Sequence, residues 1–145
     1  MRAVNVGDSG FMIFRKNRLA FRSPVQQRRF NAPYQLGRLK KLDKPDCCVE
    51  LEIDVEGGDV VVFGTDGVFD NMFGREIESY VRISMNEDGD RMEAEKLAWM
   101  IADVALCNSQ SKRRRTPFAE EAEKAGRKHA GGKIDDITVL VAYIL

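Results

Sequence analysis

The sequence predicts an α+β fold in which antiparallel sheets are covered by helices. Three observations carry this expectation. Strand-like segments come first, helix-like segments follow in a block of their own, and one strand-like segment closes the chain. Val49, Leu51, Ile53 and Val55 alternate with Glu50, Glu52 and Asp54, the pattern of a half-buried strand. Val60-Val61-Val62-Phe63 is an unbroken apolar run that stops at Gly64-Thr65-Asp66-Gly67, as a strand covered on both faces would. A chain of 145 residues has room for one domain, and 43% apolar with 32% charged side chains excludes global disorder.

Taken in order, Arg2 to Asp8 reads as a short strand ending at the turn Gly7-Asp8-Ser9-Gly10. Phe11 to Arg15 and Leu19 to Arg22 read as the next two strands of a hairpin-like meander, joined by Lys16-Asn17-Arg18. Periodicity is lost between Ser23 and Pro45, where Pro24, Pro33 and Gly37 break the chain. A loop of that length is expected to be functional or covering. Gly74 to Met85 is a predicted helix with Ile77, Tyr80 and Val81 on one face. In the next helix Asp90 is the expected cap, Glu93 completes a capping box, and Leu97, Met100, Ile101 and Val104 form the apolar stripe, with Trp99 at its flank. A third helix starts at Thr116 as cap with Pro117 in first position and ends near Gly126. Gly131-Gly132 reads as a flexible turn, and Ile134 to Leu145 as a final, mostly buried strand.

Basic and acidic side chains balance at 23 each, so no general pull toward nucleic acid or an anionic membrane is expected. The balance hides blocks: residues 1–45 hold 11 basic and 2 acidic side chains, and residues 46–111 hold 4 and 16. They read either as solvated faces that meet in the fold or as an anion-handling face beside a cation-handling one. Three cysteines, an odd number, argue against a disulfide framework and for a reducing, intracellular compartment. A single histidine, His129, and the lack of a Cys-x-x-Cys pair argue against structural zinc. The longest apolar stretch, Ile137 to Leu145, is about half a membrane span, and Met1 to Val6 do not read as a signal peptide.

Chemistry concentrates on aspartates. Asp8, Asp66 and Asp135 each sit where a strand meets a turn, Asp70 follows Asp66 by four residues, and Asp136 adjoins Asp135. Singly, each is an ordinary turn carboxylate. Gathered at sheet edges, such carboxylates suit a hard divalent cation, because Mg²⁺ and Mn²⁺ prefer oxygen ligands.

Four segments, in order, carry a resemblance: Asn5-Val6-Gly7-Asp8-Ser9-Gly10, Gln26 to Leu36, Gly64-Thr65-Asp66-Gly67-Val68-Phe69-Asp70-Asn71, and Gly131-Gly132-Lys133-Ile134-Asp135-Asp136-Ile137-Thr138-Val139. Together they resemble the later motifs of the metal-dependent serine/threonine phosphatases, the protein phosphatase 2C family. Gln26 to Leu36 is similar to a signature of the T-cell-activation phosphatase branch. The resemblance implies a β-sandwich of two antiparallel sheets flanked by helices in α-β-β-α layers. It also implies hydrolysis of phosphoserine or phosphothreonine in phosphoprotein substrates by a metal-bridged water, with Mn²⁺ or Mg²⁺ as cofactor. By motif, Asp66 and Asp135 resemble ligands of one metal, Asp8 and Asp70 resemble ligands of a weaker accessory metal, and Asp136 falls behind the ligands. The branch adds a mitochondrion or plastid to the expected compartments.

The early motifs of the family are absent: the Asp-Gly whose aspartate bridges two metals and the arginine that grips phosphate. Residues 1–145 are therefore expected to be a partial catalytic domain, its N-terminal part missing, with little activity alone and with exposed sheet edges that invite self-association. The competing expectation is a non-catalytic phosphatase-like binding module. Lys112-Arg113-Arg114-Arg115 reads as a solvated loop or as a guide for phosphoprotein substrates or a localisation signal, His129 as a surface residue, and Cys47-Cys48 as packing or as an oxidant sensor.

Overall fold

The computed structural model describes residues 1–39, 42–85 and 90–145. Its strands are β1 (Arg2–Asn5), β2 (Gly10–Arg15), β3 (Arg18–Arg22), β4 (Gln27–Arg29), β5 (Ala32–Pro33), β6 (Val49–Glu52), β7 (Val60–Gly64) and β8 (Val139–Tyr143). Between β7 and β8 run α1 (Asp66–Phe69), α2 (Gly74–Ile83), α3 (Ala94–Gln110) and α4 (Pro117–Lys124).

The central sheet has the order β3-β2-β7-β8, antiparallel throughout. Strand alternation sorts its side chains onto two faces. Met12, Phe14, Val60 and Val62 point into the main core, where Val68 and Phe69 of α1, Ile77 and Val81 of α2, and Leu97, Ile101 and Ala105 of α3 cover them. Phe11, Ile13 and Val61 point the other way, toward Ala3 of β1 and Leu51 of β6. The result is a helix layer, a four-stranded sheet and a two-stranded sheet. β7 is buried on both faces for that reason, as its apolar run requires, and each such side chain contributes about 1.5–3 kcal/mol.

The hairpin β2–β3 turns through Lys16 and Asn17, both at positive φ, a two-residue loop whose twist matches the strands. The meander does not extend to β1, which pairs instead with β6, Arg2 opposite Glu52 and Asn5 opposite Val49. Both are half-apolar strands, and pairing lets them cover the second face of the central sheet together. The loop from Ser23 to Pro45 is not structureless: it contains the β4–β5 pair, although Lys40 and Lys41 lie outside the described residues.

Several element boundaries differ from expectation: β1 stops at Asn5 rather than Asp8, and β6 stops at Glu52 although the alternation runs on to Val55. Asp90 does not cap α3, which starts at Ala94 with no side-chain cap on Glu93. Met85 and Arg91 form an antiparallel bridge and the Met92 N–H donates to the Ser84 carbonyl (2.7 Å), so residues 91–92 are held extended against the end of α2. The last strand is confined to β8, an outer strand whose side chains alternate between half-buried and exposed, Leu140 being 63% exposed. Trp99 lies off the buried stripe and is 64% exposed. The Thr116 cap and Pro117 start of α4 are present, Thr116 Oγ1 accepting from the Ala119 N–H.

One buried ion pair pins the sheet to the β6–β7 turn. Asp59, whose side chain is 1% exposed, is gripped by Arg15 through Nε (3.0 Å) and Nη2 (2.8 Å) and accepts the Glu56 N–H (2.9 Å). The Arg15 hydrogen bond holds the Asp59 carboxyl below its ordinary 3.8, against the upward push of burial. Its folded pKa is depressed, so its stabilisation is present above that ordinary value and is lost as pH falls through the lower, folded one. Asp59→Asn should therefore cost about 1–2 kcal/mol at pH 7, since Arg15 stays partly solvated and keeps Glu56, and should flatten the acid limb of a urea-unfolding series, an effect absent if Asp59 is a spectator.

Candidate metal centre

The strands β7 and β8 end at the same rim, Gly64 opposite Val139. Just beyond them Thr65 clasps the approach to β8: its N–H donates to the Thr138 carbonyl (3.2 Å), its Oγ1 donates to the Asp136 carbonyl (2.7 Å) and accepts the Thr138 N–H (3.2 Å). The two backbones come so close at Gly67 that a Cβ there would sit 3.0 Å from the Asp136 carbonyl carbon and press on its oxygen. Glycine is required here by close approach.

Asn71 completes the tie. It is fully buried, its Nδ2 donating to the carbonyls of Gly67 (2.9 Å) and Lys133 (2.8 Å) while its Oδ1 accepts the Lys133 N–H (2.9 Å). Its own carbonyl accepts from Asn108 of α3 (2.9 Å). Gly131 and Gly132 are packed against the end of α3 rather than loose: the Gly132 N–H donates to the Ser111 carbonyl (2.8 Å), and Thr116 Oγ1 donates to the Gly131 carbonyl (2.8 Å).

These ties bring together carboxylates that lie far apart in the sequence. Asp66 Oδ2, Asp70 Oδ2 and Asp135 Oδ2 converge on one point, the Lys133 Nζ, at 2.7, 2.8 and 2.9 Å. Asp66 and Asp70 share a face because they are one helical turn apart. Asp8, in the turn between β1 and β2, is close enough for its charge to act on the group. Burial, then the Asp66 charge, pushes its carboxyl above the ordinary value. Burial also pushes Asp70 up, against the Lys133 hydrogen bond, whereas that hydrogen bond holds Asp135 down. Burial pulls the Lys133 ammonium down, but its three carboxylate partners outweigh this and hold it well above its usual range. Three carboxylates thus bond one ammonium, and Asp8 adds its charge beside them.

In donor chemistry the group fits a hard divalent cation: carboxylate oxygens, three of them already aimed at a point that a positive charge occupies. Their spacing is that of hydrogen bonds to an ammonium, longer than the roughly 2.0–2.1 Å of Mg²⁺–oxygen bonds. Accordingly, among the described residues no set of three or more Asp, Glu, His or Cys side chains is spaced to grip an ion directly.

Beside the rim lies a cleft of about 360 Å³, lined by Asp8 and Asp70 together with Arg22, Phe30, Phe73 and Phe118. The β4–β5 hairpin supplies Phe30, whose ring packs on Phe118 at 5.0 Å, so the long aperiodic segment is a wall of this cleft. Asp136 enters the site through its backbone, and its side chain is exposed. His129 bonds the Gly132 carbonyl (3.1 Å) and lies edge-on to Phe118, a structural role. In the basic run, Arg114 pairs with Glu76 (2.6 Å) and Arg115 with Glu120 (2.7 Å). The Cys47 thiol is pushed up by burial and by Asp43 and Asp46, the reverse of a reactive thiolate.

No family model matches the chain. Over 144 residues, 99% of its length, it is 42% identical to "Probable protein phosphatase 2C 80" of Arabidopsis thaliana and 42% identical to "Probable protein phosphatase 2C 55" of the same plant. The chain belongs to the protein phosphatase 2C family. The crystal structure of the photosystem II phosphatase PBCP superimposes on 99% of the chain with a TM-score of 0.87 at 30% identity. The chain spans 34% and 30% of the two plant phosphatase 2C relatives and 58% of the PBCP chain. No helix among the described residues is long and apolar enough to cross a membrane.

Proposed function

We propose that this chain is the C-terminal part of a protein phosphatase 2C catalytic domain that hydrolyses phosphoserine and phosphothreonine in proteins with Mn²⁺ or Mg²⁺. The observation that supports this most is the convergence of Asp66, Asp70 and Asp135 on one cationic point, with Asp8 beside it. Bound divalent ions would lower the pKa of a water and neutralise charge on phosphoryl oxygens. In this reading Asp66 and Asp135 hold one ion, and Asp8 and Asp70 an accessory one. Thr65 and Asn71 keep those carboxylates in register, and the cleft walled by Phe30 and Phe118 receives the residues around the phosphate. The segment Gln26 to Leu36 supports a place in the T-cell-activation branch, and the likeness to a photosystem II phosphatase favours a plastid among the intracellular compartments.

The test is a phosphopeptide assay of the chain with Mn²⁺. Release of phosphate that EDTA abolishes, slow beside that of a full-length relative because the bridging Asp-Gly is absent, is the expected result. A second reading, a binding module without turnover, draws on one observation: an ammonium fills the point where the carboxylates meet. Mn²⁺ binding with no hydrolysis of any phosphoserine or phosphothreonine peptide would favour it.

A further inference from the structure

Lys133 occupies the position that the acidic rim would otherwise offer to a divalent ion. Its side chain is 17% exposed, and its ammonium donates to Asp66 (2.7 Å) and Asp70 (2.8 Å) and pairs with Asp135 at 2.9 Å. Its backbone is independently anchored, the N–H and the carbonyl both bonded to the buried Asn71 amide, and glycines precede it. The butyl stem can therefore move while its root stays fixed. It runs past the Phe118 ring, with Nζ 5.3 Å from the centroid, at the side of the cleft.

An ammonium and a divalent ion cannot both occupy the point where Asp66, Asp70 and Asp135 meet, because they would need the same carboxylate oxygens and would repel each other strongly in a partly buried site. We propose that Lys133 is a tethered competitor of the divalent cation. Its ammonium holds Asp66, Asp70 and Asp135 together in the metal-free chain, where bare carboxylates would repel one another, and it swings out toward solvent when an ion enters. The proposal rests on the metal-centre reading above and adds to it a residue that sets metal affinity.

The test is Mn²⁺ titration by calorimetry on the 145-residue chain and on Lys133→Met, with Lys128→Met, an exposed lysine away from the rim, as the control for net charge. Lys133→Met should bind Mn²⁺ at least about tenfold more tightly, melt at a lower temperature without metal and gain more from Mn²⁺ than the parent chain, while Lys128→Met matches the parent. Equal or weaker binding by Lys133→Met, or an equal gain in Lys128→Met, overturns the proposal and leaves the metal centre standing. Failure of every chain to bind Mn²⁺ overturns both. Should Lys133→Met not fold, acylation of the parent chain by acetic anhydride, read by mass spectrometry, decides. Saturating Mn²⁺ should raise labelling of Lys133 relative to Lys128, and unchanged labelling at saturation overturns the idea.

Discussion

Asp66→Asn is expected to weaken Mn²⁺ binding at least about 100-fold and to remove metal-dependent phosphate release with it. The substitution keeps the shape of the side chain and swaps one anionic oxygen for an amide, so the loss falls on the charge and not on packing. Asp66 is singled out because its carboxylate is anchored twice, Oδ1 accepting the Gly67 N–H (2.9 Å) while Oδ2 faces the common point. It sits where a central strand enters α1, with its neighbour Thr65 clasped to residues 136 and 138. Asp103→Asn, on the exposed face of α3, is the matched control. Calorimetry decides: binding within about threefold of the parent would remove Asp66 from the metal centre.

Gly132→Ala is expected to destabilise the chain by about 3 kcal/mol in denaturant unfolding, the upper part of the range for overpacking. Its Cβ would meet Ser109 Cα at 2.6 Å and the Asn108 carbonyl oxygen, both main-chain atoms in the last turn of α3, which cannot rotate away as a side chain could. Gly126 offers the contrast. It has a φ of +72° and no atom within 4 Å of its would-be Cβ. Gly126→Ala should cost only about 1 kcal/mol, a purely conformational penalty. Equal losses at the two glycines would show that close packing on α3 is not what Gly132 serves. Since residues 131–133 carry the Asn71 tie, Gly132→Ala should also loosen the carboxylate rim.

Much of this was legible in the order of residues. Alternation from Val49 onward marks β6, although the strand itself stops at Glu52, and the apolar run Val60 to Phe63 marks β7, because period and burial are local properties of the chain. The Thr116-Pro117 start of α4 is legible for the same reason: capping is settled within one turn of helix. The aspartates at 8, 66, 70 and 135 stand out because turns at strand ends are where carboxylates reach a rim. Asp90 misled, although its capping pattern with Glu93 is sound locally. The N–H of Met92 found the Ser84 carbonyl, a partner that no local rule lists.

The sequence by itself determined the strand and helix types, the family to which the chain belongs and the acidic character of its candidate site. Those follow from periodicity, capping and motif, which act over a few residues. Only the tertiary structure decided that β1 leaves β2 for β6, that Gly131-Gly132 is a packing contact, that Asn71 joins α1 to the final segment, and that Lys133 stands among the carboxylates. Each depends on partners some fifteen to seventy residues apart meeting in space, and such pairings are selected by the burial and hydrogen bonding of the whole molecule.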